Sequence, residues 1–178
     1  MSQVTYQIDS AHSAAHFSVR HMMISNVRGD FTKVSGTVLL DAQNPANSSV
    51  EALIDAASIN TREPQRDTHL KSADFFDVEK YPEMVFRSKS VAAAEDGELR
   101  VKGDLTIHGV TREVTLTVEG PTPEAKDPWG NLRIGATATT KINRKDFGLV
   151  WNVALEAGGV LVGEDIKISI DLEAIRQA

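Results

Sequence analysis

In Glu98-Leu99-Arg100-Val101-Lys102-Gly103-Asp104-Leu105-Thr106-Ile107-His108 the side chains alternate without a break. Leu99, Val101, Gly103, Leu105 and Ile107 take one face, and Arg100, Lys102, Asp104, Thr106 and His108 take the other. A period of two with one dry and one wet face describes a strand of an antiparallel sheet. Parallel strands, covered on both faces, rarely read this way. The pattern spreads in both directions from here. Downstream it runs through Val114, Leu116 and Val118, then Leu132, Ile134, Ala136, Ala138 and Ile142, and again through Ile166, Ile168, Ile170 and Leu172. Upstream it appears in Val4, Tyr6 and Ile8, in Phe17 and Val19, and in Val50, Ala52 and Ile54.

One apolar run changes parity. Val27, Gly29 and Phe31 share one face, whereas Val34, Gly36, Val38 and Leu40 follow the other, which predicts a β-bulge near Thr32-Lys33. Bulges bend sheets, and bent sheets close. Turn signals separate the runs at Asn44-Pro45, Asp96-Gly97, His108-Gly109, Gly120-Pro121, Asp127-Pro128 and Trp129-Gly130, and Gly109-Val110 reads as a tight hairpin. A single segment, 67–76 after Pro64, reads as a short helix with Asp67 as its N-cap, placed to plug one end of a barrel.

The 178 residues suit one domain over 1–178, and 41% hydrophobic with 25% charged side chains argues against a disordered, collagenous or membrane-bundle chain. Lys and Arg number 19 and Asp and Glu 25, a formal charge of −6, so long-range attraction to duplex nucleic acid or an anionic surface is lacking, though a local basic pocket is not. Cysteine is absent, which removes thiol nucleophiles, thiolate metal sites and disulfides. The N-terminal residues carry neither a basic nor a long apolar segment, and no apolar run is long enough for a transmembrane segment. The expected location is cytoplasmic, or periplasmic if a leader has been removed.

About eight alternating strands joined mostly by hairpins fit an all-β, up-and-down barrel or a sandwich. Long strands and small residues on the inward face (Gly29, Gly36, Gly103, Ala136, Ala138) point toward a barrel with an elongated apolar pore. Two readings stay open at these positions: a tunnel, or small residues packed under large ones.

Chemical motifs are sparse. His12 and His16 share a face but lie about 13 Å apart on a strand, too far to hold one ion, so no metal is expected. Gly158-Gly159-Val160-Leu161-Val162-Gly163 matches no phosphate loop and reads as a turn before a strand. Asn47-Ser48-Ser49 has the form of a glycosylation sequon and reads as a polar loop. There is no nucleophile elbow and no recognisable triad; Asp67 reads as the cap of the short helix and His69 as a residue on its face. Cations do stand at strand ends. His21 follows Phe17 and Val19 by parity, Arg144 follows Ile142, and Arg20 and Arg28 flank the same turn. They either ring a barrel mouth and pair with a polar head group, or are solvated turn residues, with Arg144 bonded to Asp146 or backbone.

Longer motifs add to this. Phe17-Ser18-Val19-Arg20-His21-Met22, Arg66-Asp67-Thr68-His69-Leu70-Lys71-Ser72-Ala73-Asp74-Phe75-Phe76, Gly103-Asp104-Leu105-Thr106-Ile107-His108-Gly109 and Ile142-Asn143-Arg144-Lys145-Asp146-Phe147-Gly148 resemble the bacterial YceI-like family. The resemblance runs from about Tyr6 to Glu173. It implies a lipocalin-like, eight-stranded antiparallel barrel whose pore takes a polyisoprenoid, isoprenoid quinone or similar long-chain amphiphile. It also implies no catalysis, and a possible homodimer. No cofactor is expected beyond such a bound lipid.

With the barrel adopted, parity and strand ends select the lining and the mouth. The expected lining is Phe17, Val19, Phe31, Ile54, Phe86, Leu105, Leu116, Ala136, Ala138, Trp151 and Ile168. The expected mouth is His21 and Arg144, supported by Arg20 and Arg28. Two other functions compete with a lipid carrier: an enzyme acting on a prenyl lipid through His21, Asp67 or His69, and a protein-binding barrel whose pore is incidental.

Overall fold

The computed structural model describes residues 3–94, 96–156 and 158–178. Its strands are β1 (Gln3–Ile8), β2 (Ala14–His21), β3 (Ser25–Phe31), β4 (Val34–Asp41), β5 (Ser49–Asp55) and β6 (Ile59–Asn60). After the helix α1 (Pro64–Lys71) come β7 (Glu83–Ala93), β8 (Leu99–Ile107), β9 (Val110–Glu119), β10 (Ala125–Lys126), β11 (Leu132–Asn143) and β12 (Val162–Arg176). All pairings are antiparallel, and the ring β12-β1-β4-β5-β7-β8-β9-β11 closes where β11 pairs along β12 from Asn143↔Asp165 to Arg133↔Ile175. It is an eight-stranded barrel with one α-helix among the described residues.

Two strands share one edge of β12. β1 pairs only at Tyr6–Ile8 with residues 174–176, while β2 takes the rest, from Ala14↔Asp171 to His21↔Val162. The β2–β3 hairpin therefore extends the wall at one end, and β6 adds to β3 through Phe31↔Ile59. The expected bulge lies between β3 and β4: Phe31 and Val34 are both buried, while Thr32 and Lys33 between them are exposed. Two consecutive outward residues invert the parity and bend one long strand from the β2 pairing into the β1 and β5 pairings.

Local chemistry moves two expected features. The helix begins three residues earlier than predicted, with Pro64 in its first turn and the Glu63 carboxylate accepting from the Arg66 N–H at 2.8 Å. Asp67 is thus not the N-cap; its Oδ1 accepts from the Thr61 N–H at 3.0 Å and from the Thr61 hydroxyl. The hairpin turn is His108-Gly109, not Gly109-Val110, since Ile107 pairs with Val110 and both turn residues have positive φ, 55° and 74°.

The three glycines of the inward face answer the packing question. A β-carbon at Gly103 would meet the Phe86 ring at 2.7 Å, and one at Gly29 would meet the Phe17 ring at 2.6 Å. Gly36, at φ 140°, lies against the Glu51 carbonyl. These glycines seat rings and backbone. They do not open space.

Candidate functional site

Inside the barrel runs a cavity of about 250 Å³ lined almost entirely by hydrocarbon. Its wall reaches from Ile134 and Pro121 near one end to Ile142 and Arg144 at the other. Ten residues of strand separate Ile134 from Arg144, about 33 Å of chain or about 25 Å along the axis of a barrel whose strands tilt by about 40°.

Phe17, Val19, Phe31, Ile54, Phe86, Leu105, Leu116, Ala136, Ala138 and Ile168 all line this cavity. The two alanines, unlike the three glycines, do leave room. Trp151 is outside the wall: it follows the last turn after β11, where strand parity no longer applies, and its ring packs edge-on with His69 at 4.7 Å and against Phe75 at 5.3 Å. The segment expected to plug one end of the barrel lies at the Arg144 end, with the helix stopping at Lys71 and the rest as turns. Leu70 of α1, then Phe75 and Phe76, close that end from above, Phe76 meeting Phe31 edge to face at 5.5 Å.

The four expected mouth cations separate. Among them only Arg144 touches the cavity. Its side chain is 3% exposed and donates to four carbonyls: Gly163 at 2.7 Å through Nε, Leu149 at 2.6 Å and Trp151 at 2.9 Å through Nη1, and Val162 at 3.2 Å through Nη2. The guanidinium has five N–H groups, so one on Nη2 remains. Burial pulls its pKa below the usual arginine value, with the charge of Glu164 opposing. Arg144 is therefore no solvated mouth residue; it pins the loop between β11 and β12 by backbone. Asn152 helps, donating to and accepting from Val162. His21 is half-buried opposite Val162 and off the wall. Arg20 is exposed and reaches the Met23 carbonyl at 3.4 Å. Arg28 lies exposed on an outer groove with Ser18 and Lys167.

No aspartate or glutamate lies among the described residues of the cavity wall, and His16, its single histidine, pairs with Asp171 at 3.3 Å. His69 binds Asp74 at 2.9 Å and Asp67 binds Thr61, both off the wall. At the opposite end Asp9, His12 and Glu173 do converge, a grouping that spacing along one strand could not reveal. Arg133 fills it, with Nη1 at 2.7 Å from Asp9 and 2.9 Å from Glu173, and Nε at 2.7 Å from Asp127. Those bonds hold Asp127 down to about 2 and lower Asp9 as well.

The profile of the YceI-like domain matches residues 6–174. The chain belongs to the YceI-like family. A UPF0312 protein of Staphylococcus aureus (strain N315) is 38% identical over 168 residues, covering 94% of this chain and 95% of its own. Among solved YceI-like barrels and their neighbours, the crystal structure of Burkholderia cenocepacia BcnA superposes with a TM-score of 0.76 at 25% identity, covering 93% of this chain and 98% of that one. A polyisoprenoid binding domain from Saccharophagus degradans, implicated in plant cell wall breakdown, has a TM-score of 0.70 at 16% identity over 98% of this chain and 99% of that one, a likeness of fold.

Proposed function

We propose that this YceI-like barrel binds, without chemistry, a long-chain isoprenoid amphiphile whose tail lies along the cavity, and that it carries or stores this lipid. The observation that carries the reading is the cavity: hydrocarbon along the barrel's length, with one charged side chain, Arg144, on its wall. Each buried CH₂ contributes about 0.8 kcal/mol, so some ten of them supply about 8 kcal/mol, the scale of micromolar binding. The tail then sets affinity, and a polar or anionic head at the Arg144 end sets direction. The Saccharophagus degradans domain, described as polyisoprenoid binding, supports the lipid class by analogy of fold.

An enzyme acting on such a lipid is the weaker reading, because His21, Asp67 and His69 do not line the cavity. A barrel with an incidental pore is weaker too, since Ala136 and Ala138 leave the interior open. Native mass spectrometry of the purified chain, with solvent extraction of what it carries, tests the proposal. A co-purifying prenyl chain is expected. A chain that stays empty after incubation with polyprenyl phosphates and isoprenoid quinones would overturn it.

A further inference from the structure

We propose that the barrel end beyond Arg144 carries a docking surface for an anionic lipid bilayer, made of the β2–β3 hairpin tip and the loop between β11 and β12. Large apolar side chains are exposed here: Met22, Met23 and Ile24 on the tip, and Val150 and Val153 on the loop, with Ile24 75% exposed. The two segments are interlocked. The Met22 N–H donates to the Leu161 carbonyl at 2.7 Å, Leu161 donates to Val153 at 2.9 Å, and the Met23 sulfur lies where a β-carbon of residue 159 would stand. Exposed hydrocarbon held on a pinned platform is an interaction surface, not a frayed end.

Charge selects the occupant. The chain is net acidic, at −6, yet residues 20–28 carry Arg20 and Arg28 and no acid, and residues 148–161 carry only Glu156. Beside them Lys145 and Glu164 neutralise one another at 2.8 Å. Arginine beside exposed Met, Ile and Val matches an interface of acyl chains under anionic head groups. A second copy fits less well, because a two-fold contact sets each copy's arginine pair against the other's. Geometry agrees. The cavity wall ends at Val19, Leu149 and Val162, and the exposed surface begins at Met22 and Val150 and is tied to Leu161, so the tip continues the wall outward.

The test is flotation of the full-length, lipid-stripped chain with vesicles of phosphatidylcholine alone or with about a third phosphatidylglycerol. The wild type is expected to float with the anionic vesicles and about tenfold less with the neutral ones. Met23→Asn with Ile24→Asn should lose about tenfold on both, and Arg20→Gln with Arg28→Gln should lose only the anionic preference. Asparagine accepts the left-handed backbone at position 23, so the first variant keeps its fold, as circular dichroism would verify. Wild type that ignores both vesicles, or a tip variant that floats unchanged, overturns the proposal. So does sedimentation velocity in which the tip variant turns a dimer into monomers while neither form floats, since the occupant is then a second copy. The inference does not depend on the cargo: a chain that floats but never loads lipid refutes the proposed function and leaves the docking surface standing.

Discussion

The two ends of the barrel are secured by arginines in opposite ways. At one end Arg133 binds the carboxylates of Asp9, Asp127 and Glu173, which come from three distant points of the chain, while Tyr6 and Arg176 both reach Glu124. At the other, Arg144 binds no carboxylate within ion-pair distance among the described residues and spends four hydrogen bonds on carbonyls, those of Leu149 and Trp151 in the loop after β11 and those of Val162 and Gly163 at the start of β12. The first arrangement joins strands and loops by charge that solvent and acid can reach. The second buries its cation, closes a loop around it and leaves hydrocarbon facing out. One end is sewn by ion pairs between distant carboxylates and a shared arginine; the other is pinned through backbone carbonyls around a buried cation that feels the charge of Glu164.

Substitution at the two arginines separates these arrangements most sharply. Arg144→Met leaves four carbonyls without their donor in a buried place and is expected to cost about 3–5 kcal/mol. That lowers Tm by roughly 10 °C for a chain of this size, read by calorimetry at pH 7. Arg133→Met should cost clearly less. Equal losses would mean that the loop after β11 finds other partners and that the contrast between the ends is only geometric.

Cargo asks which end is open. Ala138→Trp and Ala136→Trp both fill the cavity, and each should lower prenyl-lipid binding by about 100-fold, measured by tryptophan quenching, with the fold retained. Ala138 lies nearer the Arg144 end. If the head sits there, Ala138→Trp leaves a shorter tail path and does more damage than Ala136→Trp; the reverse order would put the head at the carboxylate end.

Acid should loosen the Arg133 end most, since the Lys145–Glu164 pair at the other end is exposed. Asp127 is held to about 2 and Asp9 is lowered, both first by Arg133. A carboxylate depressed by folding binds its proton later in the native state than in the unfolded one. Its stabilisation is complete above the unfolded value of about 4 and is lost as pH falls through the folded one. Acid titration followed by circular dichroism should therefore show a limb between about pH 4 and 2 that Arg133→Met flattens. Arg144→Met should lower stability evenly across that window. A limb untouched by Arg133→Met would remove the charge-sewn end from the comparison.

How much of this was legible follows from period two. Parity named ten wall residues because a strand allows only two directions, and the switch at Thr32-Lys33 located the bend that lets the sheet close. It failed where strands stop. Trp151 sits in a loop without parity, and the partners of Arg144 are carbonyls, which leave no mark in a sequence. Gly29 and Gly103 were ambiguous because a missing side chain reads alike over a void and under a ring. The Arg133 carboxylates stand at positions 9, 127 and 173; the β10–β11 hairpin brings Asp127 to Arg133, and the β11–β12 and β12–β1 pairings bring Glu173 and Asp9.

The smallest expected effect bears on the exposed tip. Met22 and Met23 hold φ of 50° and 61°, a left-handed backbone that disfavours a side chain such as methionine by about 1–2 kcal/mol. Asparagine tolerates that conformation, so Met23→Asn should raise stability by about 0.5–1 kcal/mol, or roughly 2 °C in Tm, after the loss of the contact over Gly159. Differential scanning calorimetry resolves a change of that size. A rise in Tm together with weaker vesicle binding means that the tip keeps its methionines for what they touch and not for the fold. A fall in Tm means that the Met23 sulfur on Gly159 outweighs the backbone strain, and the tip is then part of the loop's packing, held as the Arg144 end is held throughout.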